Sequence, residues 1–263
     1  MGASQFHAEQ PINRITTTGG MMEKIFGRHS ARAVFLTRPR AIRRVVLLAG
    51  RDPYLKEFAE LARGAGIEPE IVPLDEFLRA GRFTPEERQH KNQGVLLFTE
   101  PRTIYAEEDL DTLGEARVVL ALDQVSNPQN LGMILRNAAF FHVDALLVMK
   151  NRSAELTPEV MRIAVGGAEY LRIFRITNLA RSLEILKEIG FWVYGLDERG
   201  ETTIAETRFG DKVAFVVGAE GEGLRQRTRK FSDSLVRIPG GQPGIESLNV
   251  AVATAIALAQ VCQ

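Results

Sequence analysis

The feature that most constrains the fold is a regular alternation of strand-like and helix-like segments in the second half of the chain. The strand-like apolar runs are RVVLAL, DALLVM, LRIFRI, FWVYGL, KVAFVVG and LVRI. The helix-like segments between and after them are PQNLGMILRNAAFF, TPEVMRIAV, NLARSLEILKEIG, GLRQRTRKF and ESLNVAVATAIALAQ. Because strands that alternate with helices usually pair in parallel under helical cover, this pattern predicts an α/β fold with a mostly parallel sheet.

The first half of the chain predicts a smaller α/β unit. Its helix patterns are DPYLKEFAELARGAG and LDEFLRAG, and its strand patterns are RRVVLL, EIVP and QGVLLF. The polar, acidic and proline-bearing stretch TEPRTIYAEEDLDTLGEA follows, and such composition is typical of a domain boundary. We therefore expect a disordered tail at residues 1–20, an N-terminal domain at 21–105 and a C-terminal domain at 106–263.

Composition restricts the class of protein and its partners. The 263 residues contain 33 Lys and Arg against 33 Asp and Glu, so no overall positive field draws the molecule to nucleic acid. The one cysteine, Cys262, excludes a disulfide framework, and the four histidines show no metal-ligand spacing. We expect a soluble cytoplasmic protein with no metal site and no membrane partner, because no apolar run reaches the length of a membrane span.

A local basic run stands out against this neutral background. Eight basic residues and no acidic residue occur between Lys24 and Arg51, and seven of the eight are arginines. These charges would lie on one edge of the small unit, either as an ordinary solvated face or as a contact for RNA. Arginine favours the second interpretation, because its guanidinium group binds phosphates through two nitrogens and stacks on bases.

Ligands of parallel sheets bind at the carboxyl ends of the strands, so the turns after strands are the candidate site. The first such turn is LDQVSNPQNLGMILRNAAF, where Asn127 can cap a helix that begins at Pro128. On that helix Arg136 points away from the apolar stripe, and Gly132, one turn earlier, would leave open space for a ligand. An arginine paired with a carboxylate for purely structural reasons would give the same pattern.

The second turn, VVGAEGEGLRQRTRK, carries Gly218, Gly221 and Gly223 after an apolar strand. The spacing is not that of a dinucleotide-binding loop, no lysine follows as in a Walker loop, and Glu220 would repel a phosphate. A neutral or cationic ligand suits this turn better. The basic run after it, which begins at Arg225, either follows a phosphate backbone or forms a solvated helix face.

The third turn, IPGGQPGIESLNV, precedes a helix that is apolar nearly all round. Ser247 can cap this helix. A helix without a polar face must be buried on more than one side, inside the domain or against a second subunit.

Together the three turns resemble a known family. The motifs N-P-x-N-L-G-x-x-L-R-N-A, G-A-E-G-E-G-L and I-P-G-G followed by S-L-N-V-A-V-A are similar to those of the SpoU (TrmH) RNA ribose 2′-O-methyltransferases of the SPOUT superfamily, over about residues 118–260. The GRHSARAVF opening and the element order of the small unit resemble the family's ribosomal-protein-like RNA-binding domain. The family often has I-P-M where this chain has Pro239, Gly240 and Gly241, and the Pro243-Gly244 turn is a further departure.

The resemblance implies methyl transfer from S-adenosylmethionine to a ribose 2′-hydroxyl, in a cofactor pocket formed by a deep C-terminal trefoil knot. The implied cofactor contacts are Gly218, Ile238 and Leu248. The implied catalytic set is Asn130, Arg136, Glu220, Ser247 and Asn249. In the family Arg136 would deprotonate the hydroxyl, but arginine is almost always protonated, so we expect it to position the phosphate and stabilise the developing alkoxide at least as much.

The resemblance also implies partners. Ribosomal RNA of the 23S type is the expected substrate, with transfer RNA as the alternative, and a homodimer is expected in which each active site borrows residues from the partner. A catalytically inactive RNA-binding homologue is a second reading, which the complete catalytic set disfavours. A nucleotide-binding metabolic enzyme is a third, which lacks support because L-D-Q-V-S-N-P replaces a phosphate-binding glycine loop after the first strand of the sheet.

Overall fold

The structure, a computed structural model, describes residues 22–50, 52–83, 93–219, 221, 223–242 and 247–262. The predicted tail at residues 1–20 lies outside this described part of the chain. The described residues form two sheets, one of four strands and one of eight.

The four-stranded sheet belongs to the first part of the chain, here called the small unit. Its strands are β1 (Glu23–Phe26), β2 (Ile42–Leu48), β3 (Glu70–Val72) and β4 (Val95–Thr99), in the spatial order β1-β4-β2-β3. Strand β4 is antiparallel to β1 and β2, whereas β2 and β3 are parallel. Helices cover both faces, and they are α1 (Arg28–Thr37), α2 (Pro53–Gly64) and α3 (Leu74–Gly81).

The alternation of side chains along β2 and β4 explains why helices pack on both faces of the sheet. Alternate residues such as Val45 and Leu47 pack with Phe58 of α2 in one apolar cluster. Their neighbours Val46 and Leu96 pack with Phe77 in a second cluster on the opposite face. Period-two alternation sends neighbouring side chains of β2 and β4 to opposite faces, so each face of the small sheet carries an apolar cluster.

The eight-stranded sheet builds the second part of the chain, here called the large unit. Its strands are β5 (Ile104–Ala106), β6 (Val118–Asp123), β7 (Ala145–Met149), β8 (Arg172–Ile176), β9 (Trp192–Leu196), β10 (Thr202–Thr203), β11 (Val213–Gly218) and β12 (Ser234–Arg237). The spatial order is β10-β12-β9-β11-β6-β7-β8-β5, and every pairing is parallel. The predicted α/β fold with a mostly parallel sheet is confirmed.

Five helices of the large unit are described. They are α4 (Pro128–Phe140), α5 (Pro158–Ile163), α6 (Leu179–Glu188), α7 (Gln226–Phe231) and α8 (Val250–Val261). The predicted start of α4 is confirmed, because the Asn127 side chain accepts a hydrogen bond from the Gln129 amide and Pro128 occupies the first helical position. Three short 3-10 turns complete the described elements, at Pro39–Ala41, Glu107–Leu113 and Gly167–Tyr170.

The centre of the large sheet is the pair β6 and β11, whose residues are all buried. From β6 the chain proceeds to β7 and β8 on one side, and β9 then lies on the other side of β11. The strand order thus reverses at this pair, and ligands of parallel sheets bind at such a reversal. Asp123 and Gly218 end these two strands in register, so they mark the expected position of a site.

The predicted domain boundary after residue 105 falls inside β5, whose residues pair with β8 of the large sheet. The sequence does not signal this strand, because it is a three-residue edge strand within a polar stretch. The chain therefore enters the large sheet before its first long apolar run.

Several arginines of the basic run that begins at Lys24 form ion pairs, and contact of this run with RNA stays a prediction. Its arginines reach carboxylates that lie far away in sequence: Arg32 pairs with Glu57, Arg38 with Glu23 and Glu169, Arg43 with Glu100, and Arg44 with Glu70. A count of charges within the run misses these carboxylates, because strand pairing and helix packing place them beside the arginines.

Candidate active site

A cavity of about 420 Å³ lies at the carboxyl edge of the large sheet. The turns after β9, β11 and β12 and the start of α8 enclose it. Among its lining residues are four of the predicted site residues, Gly218, Ile238, Ser247 and Leu248. The sheet therefore brings the second and third sequence motifs together around one space.

Two glycines shape the turn after β11. A Cβ atom on Gly218 would lie 2.1 Å from the carbonyl carbon of Gly223, and the amide of Gly223 donates to the carbonyl of Ala219 at 2.9 Å. Gly223 has a φ of +64°, which glycine adopts without strain. The glycines let the chain fold back tightly on the end of β11, so the cavity wall there is backbone.

The start of α8 joins the third motif to the first. The Asn249 side chain is the N-cap and accepts from the Ala251 amide at 2.9 Å, while its Nδ2 donates to Oδ1 of Asn130 at 2.9 Å. Ser247 does not cap the helix as expected, because the cap is two residues later; it is exposed and lines the cavity instead. Asn130 is buried, so this amide pair fixes α8 against α4.

Arg136 lies apart from these residues. It is exposed on α4, two turns after Asn130, and it is not one of the residues that line the described cavity wall. The prediction that Gly132 leaves space beside it was wrong: a Cβ on Gly132 would lie 2.6 Å from Cβ of Ile163, so this glycine serves the packing of α5 on α4. Within one chain, Arg136 is therefore available to another molecule and not to the cavity.

Sequence reasoning missed one ion pair of the cavity. Nε of Arg229 donates to Oδ2 of Asp197 at 2.5 Å, and the Asp197 side chain is only 2 % exposed. Both residues line the cavity. Asp197 directly follows β9, so the rule that pointed to three turns after strands would also have found this fourth turn, LDERG.

A second buried carboxylate holds the neighbouring loop. Asp123, fully buried at the end of β6, accepts from the amide and Nε of Arg225 and from the hydroxyl of Thr228. The basic run after the second motif is thus partly used for structure, since Arg225 and Arg229 each pair with an aspartate at a strand end. These pairs connect α7 to two strands across the sheet.

The cavity has the properties of a site for a polar, compact ligand. Backbone groups of the glycine turns offer hydrogen bonds, and apolar side chains such as Val217 and Leu248 offer contact area. No neighbouring atom lies within 4 Å of a Cβ built on Gly221 or Gly240, so both turns border open space at the cavity. Lining charges of both signs, including Glu198 and Arg199, suit a ligand that carries both signs, as S-adenosylmethionine does.

Some expectations fall outside the described residues. Glu220 of the predicted catalytic set lies there, and so does the Pro243-Gly244 turn. Within the described ranges, no group of three or more His, Cys, Asp or Glu side chains is arranged to hold a metal ion. No helix in the same ranges is long and apolar enough to cross a bilayer.

Comparison with solved structures shows the same fold. The SpoU methyltransferase AviRb from Streptomyces viridochromogenes, solved in complex with the cofactor AdoMet, superposes with a TM-score of 0.72 at 20 % identity, over 92 % of this chain and 89 % of that one. The AdoMet-bound rRNA methyltransferase from Sinorhizobium meliloti gives a TM-score of 0.71 at 21 % identity, over 92 % and 87 % of the two chains. At these identities the likeness shows the architecture.

Sequence comparison shows the family. The chain is 35 % identical to the 23S rRNA (guanosine-2′-O-)-methyltransferase RlmB of Pseudomonas aeruginosa, over 91 % of this chain and 95 % of the relative. It is 34 % identical to RlmB of Escherichia coli K12, over 90 % and 97 % of the two chains. The profile of the SpoU rRNA Methylase family matches residues 117–259, the stretch that holds all three motifs. The resemblance seen in the sequence is confirmed, and the chain belongs to the SpoU rRNA Methylase family.

Proposed function

We propose that the protein methylates a ribose 2′-hydroxyl of 23S-type ribosomal RNA, with S-adenosylmethionine as cofactor. The observation that carries this proposal is the cavity that joins Gly218, Ile238 and Leu248, the three expected cofactor contacts, to Ser247. The relatives at about 35 % identity are named for this reaction on a guanosine of 23S rRNA. A transfer RNA substrate is the alternative.

The residues of the cavity would bind and orient the cofactor. S-adenosylmethionine supplies a methyl group activated by a sulfonium centre. Backbone groups at Gly218 and Ile238 would hydrogen-bond to it, and the exposed side chain of Leu248 would cover it. Asn249 and Asn130 hold the start of α8 in place. In this arrangement Ser247, which lines the cavity, would face the reaction centre.

Arg136 would act on the RNA. Its guanidinium group is exposed, and among the described residues no carboxylate forms an ion pair with it. It would hold the phosphate beside the target ribose and stabilise the alkoxide that develops as the 2′-hydroxyl loses its proton. Alignment of the 2′-oxygen with the methyl group then supplies much of the remaining rate enhancement.

The reaction is tested with purified protein, cofactor labelled in its methyl group and RNA transcribed in vitro. We expect label in 23S rRNA at a single ribose, and the phosphodiester bond on the 3′ side of that ribose should resist alkaline cleavage. Label only in transfer RNA would support the alternative substrate. RNA binding without transfer to either RNA would contradict the proposed function and support an inactive RNA-binding homologue.

The cofactor site is tested by Gly218→Ala, whose new methyl group would meet the Gly223 backbone. We expect binding of S-adenosylhomocysteine, measured by calorimetry, to weaken by about 100-fold, because the turn must open. Gly210→Ala is the matched control: that glycine is exposed and has no atom within 4 Å of a Cβ position. Equal binding by the two variants would contradict the assigned cavity.

Arg136→Lys keeps the charge but loses the planar pair of donors. We expect kcat to fall about 100-fold, the usual cost of removing a donor that acts in the transition state. Binding of S-adenosylhomocysteine should be unchanged. Near-normal methylation by this variant would show that the two-nitrogen contact is not needed.

We also infer a homodimer with shared sites. Helix α8 buries only one side within the chain, while Val252 remains 41 % exposed, and Met133 and Phe140 are exposed on the neighbouring α4. An apolar helix face of this kind requires further cover. The separation of Arg136 from the cavity has the same explanation if each cavity is completed by the partner's α4.

Mixing two impaired variants, at a cofactor concentration too low to saturate Gly218→Ala, tests the shared site. A chain with Arg136→Ala keeps its cavity, and a chain with Gly218→Ala keeps its Arg136. If sites are shared, the mixed dimer contains one complete site and activity returns on mixing. No recovery, or a fully active monomer by light scattering, would contradict the shared site. The trefoil knot around the third motif and a cytoplasmic location remain predictions from the family.

A further inference from the structure

Two arginines at the carboxyl edge of the large sheet use their Nε atoms in the same way. Arg225, the residue before α7, donates from Nε to Asp123 at 2.6 Å, and Arg229 within α7 donates from Nε to Asp197 at 2.5 Å. Both carboxylates are almost fully buried. A guanidinium group that is held through Nε still has two Nη nitrogens with which it can bind another group.

The Nη nitrogens of the two arginines have different surroundings. Nη2 of Arg225 donates to Sδ of Met149 at 3.5 Å, and Arg225 is not one of the residues that line the cavity. Arg229 does line it, and its Nη2 lies 3.9 Å from a Cβ built on Gly223 in the glycine turn. Among the described residues neither Nη nitrogen of Arg229 has a hydrogen-bond partner, and neither is fully buried. This end of the guanidinium group is therefore open to the cavity.

Asp197 fixes the position of this open end. Its Oδ1 accepts from the amide of Arg199 at 3.0 Å, while its Oδ2 accepts from Nε of Arg229. The backbone amide of Asp197 donates to the carbonyl of Val236 on β12 at 3.0 Å. Because the carboxylate is tied to its own turn and to the next strand, Arg229 is already ordered before a ligand arrives. Such ordering lowers the entropy cost of binding.

The chemistry of the cofactor decides which of its groups these nitrogens can bind. S-adenosylmethionine carries a sulfonium centre and an ammonium group, both positive, and one negative group, the carboxylate of its amino acid portion. A guanidinium group repels the two cations, whereas a carboxylate offers two acceptors that match its parallel N–H groups. The expected contacts for the rest of the cofactor, Gly218, Ile238 and Leu248, line the same cavity as Arg229.

We infer that Arg229, held by Asp197, binds the carboxylate of the cofactor through its Nη nitrogens. The inference rests on the proposed function and adds the residue that selects a complete adenosyl amino acid over adenosyl compounds without a carboxylate. Arg199 is the competing residue, because it also lines the cavity. Its side chain is exposed and forms no ion pair with any of the described residues, so nothing comparable to Asp197 orients it.

The inference is tested by combining a change in the protein with a change in the ligand. The two ligands are S-adenosylhomocysteine and its decarboxylated analogue, which keeps the ammonium group, and calorimetry measures their dissociation constants. We expect the wild-type protein to bind S-adenosylhomocysteine about 30-fold more tightly than the analogue, the usual effect of hydrogen bonds to a charged group. In Arg229→Gln this preference should fall to about twofold, because the paired cationic donors are gone.

Two further variants complete the test. Arg227→Gln is the matched control, because Arg227 lies on the same helix, is exposed and is not among the residues that line the cavity. It should keep the wild-type preference. Arg229→Gln leaves the buried Asp197 without its cation, so Asp197→Asn/Arg229→Gln, which removes both charges, is measured as well and should lose the preference equally. Urea unfolding checks that each variant is folded.

An equal loss of affinity for both ligands in the two Arg229 variants would overturn the inference, because Arg229 would then only hold the cavity wall. A preference that survives in these variants and is lost in Arg199→Gln would also overturn it and would assign the carboxylate to Arg199. Wild-type protein that binds both ligands without preference would contradict this inference alone. Wild-type protein that binds neither ligand would contradict the proposed function, and the inference with it.

Discussion

Two ion pairs on the strands of the small unit and two at the carboxyl edge of the large sheet differ in burial. In Arg43–Glu100 and Arg44–Glu70 all four side chains are more than two fifths exposed. At the edge of the large sheet Asp123 and Asp197 are almost fully buried under Arg225 and Arg229. Charges of the first kind remain available to a ligand, whereas charges of the second kind hold the loops around the cavity.

The difference has an energetic basis. An exposed pair gains little, because water and salt screen it and ordering two long side chains opposes it. A buried carboxylate must be fully hydrogen-bonded, and removing its partners or the carboxylate itself leaves polar groups unsatisfied in a place that water does not reach. The predictions below measure this difference, from the largest expected effect to the smallest.

Asp123→Ala should have the largest effect. It removes the acceptor for the Arg225 amide, the Arg225 guanidinium group and the Thr228 hydroxyl. We expect the free energy of unfolding, measured with urea, to fall by about 3 kcal/mol. Asp75→Ala is the control, because its pair with Arg79 is about three quarters exposed, and it should change stability little. Similar losses in the two variants would remove the distinction between the two kinds of pair.

Gly167→Ala tests the packing of the turn Gly167–Tyr170 on α4. The new methyl group would press on backbone atoms of α4, so we expect a loss of about 2 kcal/mol in unfolding free energy. Gly64→Ala lies in α2 of the small unit, with no atom within 4 Å of its Cβ position, and should stabilise the protein by about 0.5 kcal/mol. A shift of the same sign in both variants would contradict the close packing of Gly167 on α4.

Glu107→Gln tests a buried carboxylate that forms no ion pair with any of the described residues. Burial favours its neutral form, but hydrogen bonds from the side chain and amide of Thr177, the amide of Asn178 and the hydroxyl of Ser182 outweigh this and lower the pKa of Glu107. The folded pKa is below the unfolded one, so the stabilisation is present above the ordinary pKa of a glutamate and is lost as pH falls through the folded pKa.

We therefore expect Glu107→Gln to cost about 1.5 kcal/mol at pH 7 and progressively less below about pH 4, as measured by urea unfolding across pH. Glu108→Gln changes the exposed neighbour and should have little effect at any pH. A cost for Glu107→Gln that grew on acidification would have the wrong sign and would contradict the lowered pKa.

Arg44→Ala should have the smallest effect. Its side chain pairs with Glu70 and lies over the ring of Phe98, yet it is 41 % exposed. We expect a loss of about 0.5 kcal/mol, which added salt should reduce further. Thermal unfolding at low and high salt is the measurement. A loss as large as that of Asp123→Ala would show that exposure does not separate the two kinds of pair.

Most of the fold was predictable from local patterns. The apolar runs of the large unit gave its long strands, and Asn127 with Pro128 marked the start of α4. Strand β5 was not predicted, because three residues at a sheet edge need only a partner strand and no apolar run. The cap of α8 was placed on Ser247 and not on Asn249, since both residue types cap helices and the sequence does not separate them.

The site was predictable in part. The sequence motifs indicated four residues that line the cavity. The sequence did not indicate that Ile163 fills the space beside Gly132. Nor did it indicate that Glu169 joins Arg38 and Arg102, because those contacts depend on segments far apart in the chain. The roles of the motif residues in catalysis and cofactor binding remain predictions that the experiments above address.

The bond between Asn130 and Asn249 has a consequence for how the enzyme is made. Its two residues are 119 positions apart, and α8 follows every other element of the site along the chain. At synthesis rates of 5–20 residues per second, a ribosome would add the second asparagine roughly 6–24 s after the first. During that interval the ribosome adds the rest of α4 and then the turns after β9, β11 and β12, but the nascent chain cannot complete the site. We expect newly made protein to remain inactive until α8 has left the ribosome and folded onto α4.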